Sequence, residues 1–282
     1  MNAELKNQLK KLADRYETSS FYDADPSQFL NWSENQREAE LISFFSALLA
    51  FGNRKLFIPK IRFVLETAGK KGGFYSWIKK REYESDFKSP DENNSSKFYR
   101  FYSYDDILTL FRELSSVLEN YGSLENAVRS TQVQLKKEAE FDKLKSVRRL
   151  YGKTYDFRRF ADSVFCSDAI SSLFQLSKIV PKGKNSANKR IFMFLRWMIR
   201  TGSPVDKGFW TWLSPSSLVI PLDTHVLQES EKLMLIPEKS SCSIKTALIL
   251  SDKLSEVWPE DPCKGDFALF GLGVSDEKNQ SN

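Results

Sequence analysis

Apolar residues recur along much of this chain with the spacing of α-helices. In the segment 4–16 they occupy positions 5, 9, 12 and 16, close to the 3.6-residue period of a helix buried on one face. The segment 34–51 starts polar and becomes almost wholly apolar from Ile42 onward, which is typical of a central helix buried on every side. Gly52 and Asn53 then supply residues expected at a helix end.

The same spacing predicts helices over the rest of the chain, at 54–65, 105–121, 168–179, 187–200, 224–234, 246–257 and 266–272. The helix at 105–121 has an N-cap near Ser103 and a stop at Gly122. Loops are predicted at 85–96 and 201–220, and a frayed tail at 275–282. Because we find no alternating Val/Ile-rich strands and no internal repeat, the predicted fold class is all-α.

Composition adds limits on size and location. The 282 residues exceed a typical ~150-residue domain, so one large or two modest domains are expected. Hydrophobic residues at 41% and charged residues at 28% exclude wholesale disorder. The longest apolar stretches, 42–52 and 191–199, fall short of the roughly 20 residues of a membrane span, and the N-terminus has no apolar signal core. We expect a soluble, intracellular protein without a membrane partner.

Cysteine and histidine are too few and too scattered to hold a metal. Cys166, Cys242 and Cys263 match neither a disulfide framework nor a metal knuckle, and a fourth cysteine for an iron–sulfur cluster is missing. His225 is the single histidine. We expect no metal and no cofactor, so any chemistry must use carboxylates, lysines and arginines.

Positive charge is concentrated in two stretches, although the formal net charge is only +5. The segment 181–213 contains seven basic residues and one acidic residue, and 142–159 contains seven basic and two acidic residues. Such clusters indicate either a surface that faces a polyanion or two solvated helix faces.

One predicted helix carries three cations on a single face. Lys189, Arg196 and Arg200 follow helical spacing among otherwise apolar residues, and like charges at this spacing destabilise an isolated helix. Something anionic should therefore face them. Internal carboxylates, a nucleic-acid phosphate or an active-site aspartate would each serve. Asp223 lies where an apolar segment enters a later helix, and by spacing alone it is an N-cap.

Several short motifs resemble those of the helix-hairpin-helix DNA glycosylases. The segment 221–226, Pro-Leu-Asp-Thr-His-Val, resembles their V-D-T-H-[VI] motif, whose aspartate is catalytic. The segment 180–189 resembles a degenerate form of their hairpin, which in bifunctional members is followed by the nucleophilic lysine. Segments 266–273 and 47–53 resemble the late apolar helix and the early buried helix, whose end carries a lesion-probing side chain. The long gap between lysine and aspartate is similar to the archaeal 8-oxoguanine glycosylase branch, and the whole chain most resembles a bacterial family of hypothetical proteins related to that branch.

This resemblance implies a two-lobed, all-α, helix-hairpin-helix glycosylase-like fold with a cleft between the lobes. The central lobe would span 37–214 and include the hairpin at about 180–190. The second lobe would combine 1–36 with 215–282 and carry the helix of the aspartate. The expected partner is duplex DNA with a flipped base, and the protein would be a monomer in the cytoplasm, acting at the bacterial nucleoid.

The resemblance also implies an activity, DNA base-excision repair of a damaged base such as an oxidised purine, with or without AP-lyase activity. Asp223 would stabilise positive charge at the anomeric carbon, and Lys189 would be the nucleophile or, in the competing role, a phosphate contact. The expected DNA-binding residues are Lys182, Gly183, Lys184, Asn185, Ser186 and Arg190. The expected substrate pocket contains Asn53, Arg54, Arg196, Trp197, Arg200, Trp210 and His225. The alternatives are a non-catalytic nucleic-acid-binding module on the same fold and an RNA-directed relative.

Overall fold

The computed structural model describes residues 1–20, 25–90, 96–138, 148–150, 153–155, 157–183 and 185–280. The chain is mostly helical, which confirms the predicted all-α class. The helices are α1 Ala3–Tyr16, α2 Gln36–Leu49, α3 Arg54–Gly69, α4 Phe74–Lys79, α5 Tyr83–Asp86, α6 Tyr104–Tyr121, α7 Leu124–Glu138, α8 Ala161–Leu173, α9 Lys189–Ile199, α10 Thr224–Lys232, α11 Ile244–Ser255 and α12 Lys264–Gln280. Among the described helices, none combines the length and apolarity needed to cross a membrane.

In the described part of the chain, four short strands form two separate antiparallel hairpins, β1 Lys97–Tyr99 with β2 Tyr102–Ser103, and β3 Arg148–Leu150 with β4 Lys153–Tyr155. Short 3-10 helices occur at Pro26–Trp32, Arg158–Phe160 and Pro215–Ser217. Strands of two or three residues are too short to show an alternating pattern, so they are not predicted from sequence. The described part of the second basic stretch, 142–159, contains the β3–β4 hairpin, so the helix-face alternative is wrong for residues 148–150 and 153–155. The polyanion-facing surface stays a prediction.

The chain divides into two compact units. Unit 1 comprises Met1–Phe21, Lys136–Ser167 and Lys182–Asn282, and unit 2 comprises Tyr22–Leu135 and Asp168–Pro181. The limits of these units differ from those of the predicted lobes, since the segment 182–214 groups with the two chain ends. Lys189 and Asp223 therefore belong to the same unit.

Unit 2 is built around α2, the helix predicted to be buried on every side. From Ala39 to Leu49 each of its residues is buried, and Phe45 packs against Phe74 and Phe111 with ring centroids 5.5 and 5.7 Å apart. Glu40 is fully buried on the same helix, where its carboxylate accepts the first N–H groups of α7, 2.9 Å from Leu124 N. A buried charge is tolerated here because it satisfies a helix start.

The observed ends of two other helices, α8 and α12, differ from the predicted ends. The helix predicted at 168–179 is α8, which ends at Leu173. The carboxylate of Glu113 accepts the N–H groups of Leu176 and Ser177 at 2.7 and 2.9 Å, and these N–H groups are therefore not available to prolong the helix. At the C-terminus, α12 continues to Gln280 where a frayed tail from 275 was predicted, and residues 281–282 lie outside the described part.

The ends of α6 follow the local signals that predicted them. Ser103 accepts the N–H of Asp106, and Asp106 in turn accepts the N–H of Ser103, which completes a capping box. At the other end Gly122 has φ +75°, the left-handed conformation that glycine adopts at little cost.

We predict that Gly122→Ala destabilises the protein by about 1 kcal/mol, because a Cβ is strained at this φ although it would meet nothing within 4 Å. The matched control is Gly69→Ala at the end of α3, where the added Cβ is equally unhindered and φ lies outside the left-handed range. That change should leave stability equal or raise it by about 0.4–1 kcal/mol. Urea denaturation followed by circular dichroism measures both, and equal effects at the two positions would contradict the prediction.

Candidate active site

The structure brings together the two residues that the motifs singled out. Lys189 is the first residue of α9, and Asp223 is the N-cap of α10. The Nζ of Lys189 lies 2.7 Å from Oδ2 of Asp223, and the two side chains are 36% and 29% exposed. The other carboxylate oxygen, Oδ1, accepts the N–H of Val226 at 2.9 Å. Asp223 therefore caps a helix and presents its second oxygen to a partly exposed lysine.

The loop before α9 is anchored to the start of α11. Ser186 forms an isolated antiparallel bridge with Ser243, the N-cap of α11, and Ile244 N donates to the carbonyl of Asn185 at 3.1 Å. Gly183 has a steric reason to be glycine, since a Cβ there would lie 2.8 Å from the Cβ of Ser186. The start of α9, and with it Lys189, is thus positioned by contacts from a distant part of the chain.

Electrostatics keep Asp223 ionised. Burial by itself would raise the pKa of its carboxyl group. The adjacent Lys189 ammonium and the hydrogen bond from Val226 outweigh burial, and the pKa lies below its usual value. A carboxylate that stays negative at neutral pH is suited to stabilise a nearby positive charge as it develops.

Arg196 and Arg200, predicted to line a substrate pocket, are instead 3% and 2% exposed and paired with carboxylates of the same unit. Arg200 contacts Asp206 at 2.5 Å and both Asp261 and Glu17 at 2.7 Å. These contacts raise the pKa of the guanidinium despite its burial, so it stays charged. Internal carboxylates thus provide the anionic partner that the stripe of cations requires.

Arg196 connects this cluster to the Lys189–Asp223 pair. Its Nε lies 3.3 Å from Asp206, its Nη1 contacts Asp266, and its guanidinium lies 4.8 Å from the ring centre of Phe267. Burial raises the pKa of Asp266 to about 6 and the charge of Asp223 adds to this, while Arg196 opposes both. Asp266 is therefore close enough to Asp223 to sense its charge. No role for Asp266 was predicted from sequence. A buried arginine such as Arg196 nevertheless indicates that a carboxylate must lie nearby.

Cys242 lies next to the site, although no sequence motif predicts it there. It precedes Ser243 and interacts with Asp223, Thr224 and Lys189. Partial burial and the negative charge of Asp223 raise the pKa of its thiol. Since the thiolate is the reactive form of cysteine, Cys242 is not arranged to act as a competing nucleophile.

The other residues predicted to bind DNA or to line the substrate pocket differ in how exposed they are. Lys182, Gly183, Asn185, Ser186 and His225 are exposed and Arg190 is half-buried, whereas Lys184 lies outside the described residues. Trp197 and Trp210 are fully buried, so they pack in the core of unit 1 instead of forming an open pocket wall. Trp210 meets the ring of Phe194 edge-on at 5.2 Å.

Two further predicted pocket residues, Asn53 and Arg54, belong to unit 2. Asn53 is the N-cap of α3, and its side chain accepts the N–H of Lys55 at 2.9 Å. Arg54 is exposed and lies 3.9 Å from Asp25.

We predict that Arg200→Met destabilises the protein by about 3–5 kcal/mol, because it leaves buried carboxylates without their cation. Arg112→Met is the control, since Arg112 makes a solvent-exposed pair with Asp105 at 3.6 Å, and its loss should cost no more than about 1 kcal/mol. Urea denaturation of both variants measures the difference. A cost for Arg200→Met as small as that of the control would mean that the buried cluster contributes no net stability.

One family model matches most of this chain. The sequence matches the model of a family described as a protein of unknown function, DUF2400, over residues 25–275. No curated protein and no solved structure shows a significant match. The matched range contains Lys189 and Asp223 and the two buried arginines, Arg196 and Arg200. Because the match covers most of its length, the chain belongs to the DUF2400 family.

Proposed function

We propose that this protein is a DNA base-excision repair glycosylase that acts on a damaged base, such as an oxidised purine, through Asp223 and Lys189. The observation that carries the proposal is the 2.7 Å contact between the Lys189 amine and the Asp223 carboxylate. These two groups are 34 positions apart in sequence and meet at the starts of two helices. We also propose the two-lobed, helix-hairpin-helix glycosylase-like arrangement that the motif resemblance implies.

The pair fits the charges of base removal. When the bond between the anomeric carbon and the base breaks, its electrons leave with the base and the sugar becomes positive. The ionised Asp223 stabilises that charge. The departing base takes up a proton from Lys189, whose nitrogen then bonds to the anomeric carbon. Opening of the sugar ring breaks the bond between the anomeric carbon and the ring oxygen, which takes the electron pair and the second amine proton, and leaves a Schiff base. Loss of a C2′ proton from this Schiff base would expel the 3′-phosphate and cut the strand by β-elimination. Lysine can do this because its amine, unlike a guanidinium, can be deprotonated.

The loop at 182–186 is proposed to bind a DNA phosphate. Lys182, Asn185 and Ser186 are exposed just before the start of α9. Unsatisfied N–H groups and the positive end of the helix dipole favour an anion at such a position.

A second candidate function is a non-catalytic nucleic-acid-binding module. The observation that favours it is the complete burial of Trp197 and Trp210, since a flipped base needs aromatic walls that it can reach. A covalent-trapping experiment separates the two functions.

We predict that borohydride traps a covalent protein–DNA product with duplexes carrying a single lesion, tested with 8-oxoguanine, uracil, thymine glycol and an abasic site. Lys189→Gln should abolish this product, because glutamine cannot form an imine. Lys178→Gln, a change at a lysine that is 79% exposed in unit 2, should leave it unchanged. A product that persists in Lys189→Gln would place the nucleophile elsewhere. Absence of both base release and trapping on every lesion, with DNA binding retained, would favour the binding module.

We predict that Asp223→Asn slows base release by about 10²–10³-fold, the effect of losing one preorganised electrostatic group, while the fold is retained. Asparagine is as good an N-cap as aspartate, so α10 keeps its cap and only the negative charge is lost. Single-turnover base release measures the rate, and thermal unfolding checks the fold. If Asp223→Asn released the base at the wild-type rate, Asp223 would be a structural cap and nothing more.

A further inference from the structure

The turn between β1 and β2 presents an aromatic ring to solvent. The two strands are joined by the two-residue turn of Arg100 and Phe101. Phe101 is 64% exposed, more than any other aromatic side chain in the described parts of the chain. Arg100 has φ +50°, a conformation uncommon for residues other than glycine, and one that persists only where surrounding contacts enforce it.

Contacts with Phe51, which lies two residues after the end of α2, hold this turn in place. The ring of Phe101 lies 5.4 Å from that of Phe51 and 4.6 Å from that of Tyr102, and the Arg100 guanidinium lies 5.7 Å from the centre of the Phe51 ring. The hydroxyl of Tyr99 donates to the carbonyl of Phe51. A Cβ on Gly52 would collide with the Arg100 guanidinium, so the glycine is what allows the arginine to lie against the chain. We call Phe51, Arg100 and Phe101 the hairpin-tip surface.

Cationic residues follow Phe51, the residue against which the exposed ring packs. The run that follows Phe51, from Gly52 to Leu56, is entirely exposed and includes Arg54 and Lys55. The carboxylate that pairs with Arg54, Asp25, is 3.9 Å away and itself mostly buried. An accessible aromatic ring beside several cations is the combination that binds unpaired bases, which stack on the ring while the cations attract the backbone.

We propose that the hairpin-tip surface stacks on an unpaired base of a nucleic acid, with Arg54, Lys55 and Arg100 facing its phosphates. The inference rests on the proposed function, since it takes a nucleic acid as the ligand. The lesion-probing role predicted for Asn53 is here proposed for Phe101, because the Asn53 side chain caps α3. A protein partner or a second copy fits less well, since one exposed ring offers at most about 150–250 Å², against about 800 Å² per partner in a stable interface.

The test uses a DNA duplex with one unpaired 2-aminopurine opposite an abasic-site analogue, a base whose fluorescence reports stacking. We expect Phe101→Ala to weaken binding by at least about 5-fold, since loss of one base–aromatic contact costs about 1–3 kcal/mol, and to remove the fluorescence change. Phe101→Trp should retain both signals. Leu176→Ala, at a site 76% exposed in the same unit, should change neither.

Unchanged binding and fluorescence in Phe101→Ala would overturn the proposal, and so would a Phe101→Leu variant that behaves like the wild type. Self-association that Phe101→Ala abolishes would assign the surface to a second copy and likewise overturn it. Borohydride trapping of the same protein variants on the lesion-bearing and abasic duplexes described above reports the proposed activity separately. Phe101-dependent stacking without a trapped product supports the stacking surface and rejects the lyase step, whereas trapping with Phe101-independent binding rejects only the surface.

Discussion

The charge of two buried arginines is the constraint on which the arrangement of unit 1 depends. Arg196 and Arg200 lie one turn apart on α9 and are excluded from water. Their charge must be neutralised by carboxylates inside the protein, because an isolated buried charge costs several kcal/mol. Asp206 lies between them, and Glu17, Asp261 and Asp266 complete the set. Three separate parts of the chain, at 17, 206 and 261–266, are thereby tied to one helix.

The same helix carries the candidate site at its opposite end. Since Arg196 and Arg200 fix the last turns of α9, the first residue of the helix, Lys189, has a defined position. Asp266 extends the buried cluster towards Asp223, whose charge contributes to its raised pKa. A rigid helix held by buried ion pairs is a suitable support for a group that must meet its partner within a fraction of an ångström.

The features that sequence alone could predict are the ones with local causes. The periodicity of α1, α2 and α6, the capping box at Ser103 and the left-handed Gly122 depend only on neighbouring residues. The short α4 and α5 and the two hairpins span too few residues to show a period. The partners of Arg196 and Arg200 could not be chosen from sequence, because they lie up to 183 positions away and nothing local selects one carboxylate over another.

Of the two site residues, Lys189 is the harder to explain by folding alone. Asp223 has a sufficient local reason to be present, since an N-cap aspartate stabilises a helix by about 1 kcal/mol. Lys189 has no such reason, because a cation at a helix N-terminus opposes the helix dipole and lies among the other cations of its own helix. Its contact with Asp223 offsets that cost without explaining why a lysine was placed there. A residue that is unfavourable to its own helix, partly exposed and paired with an ionised carboxylate is better explained by chemistry than by folding.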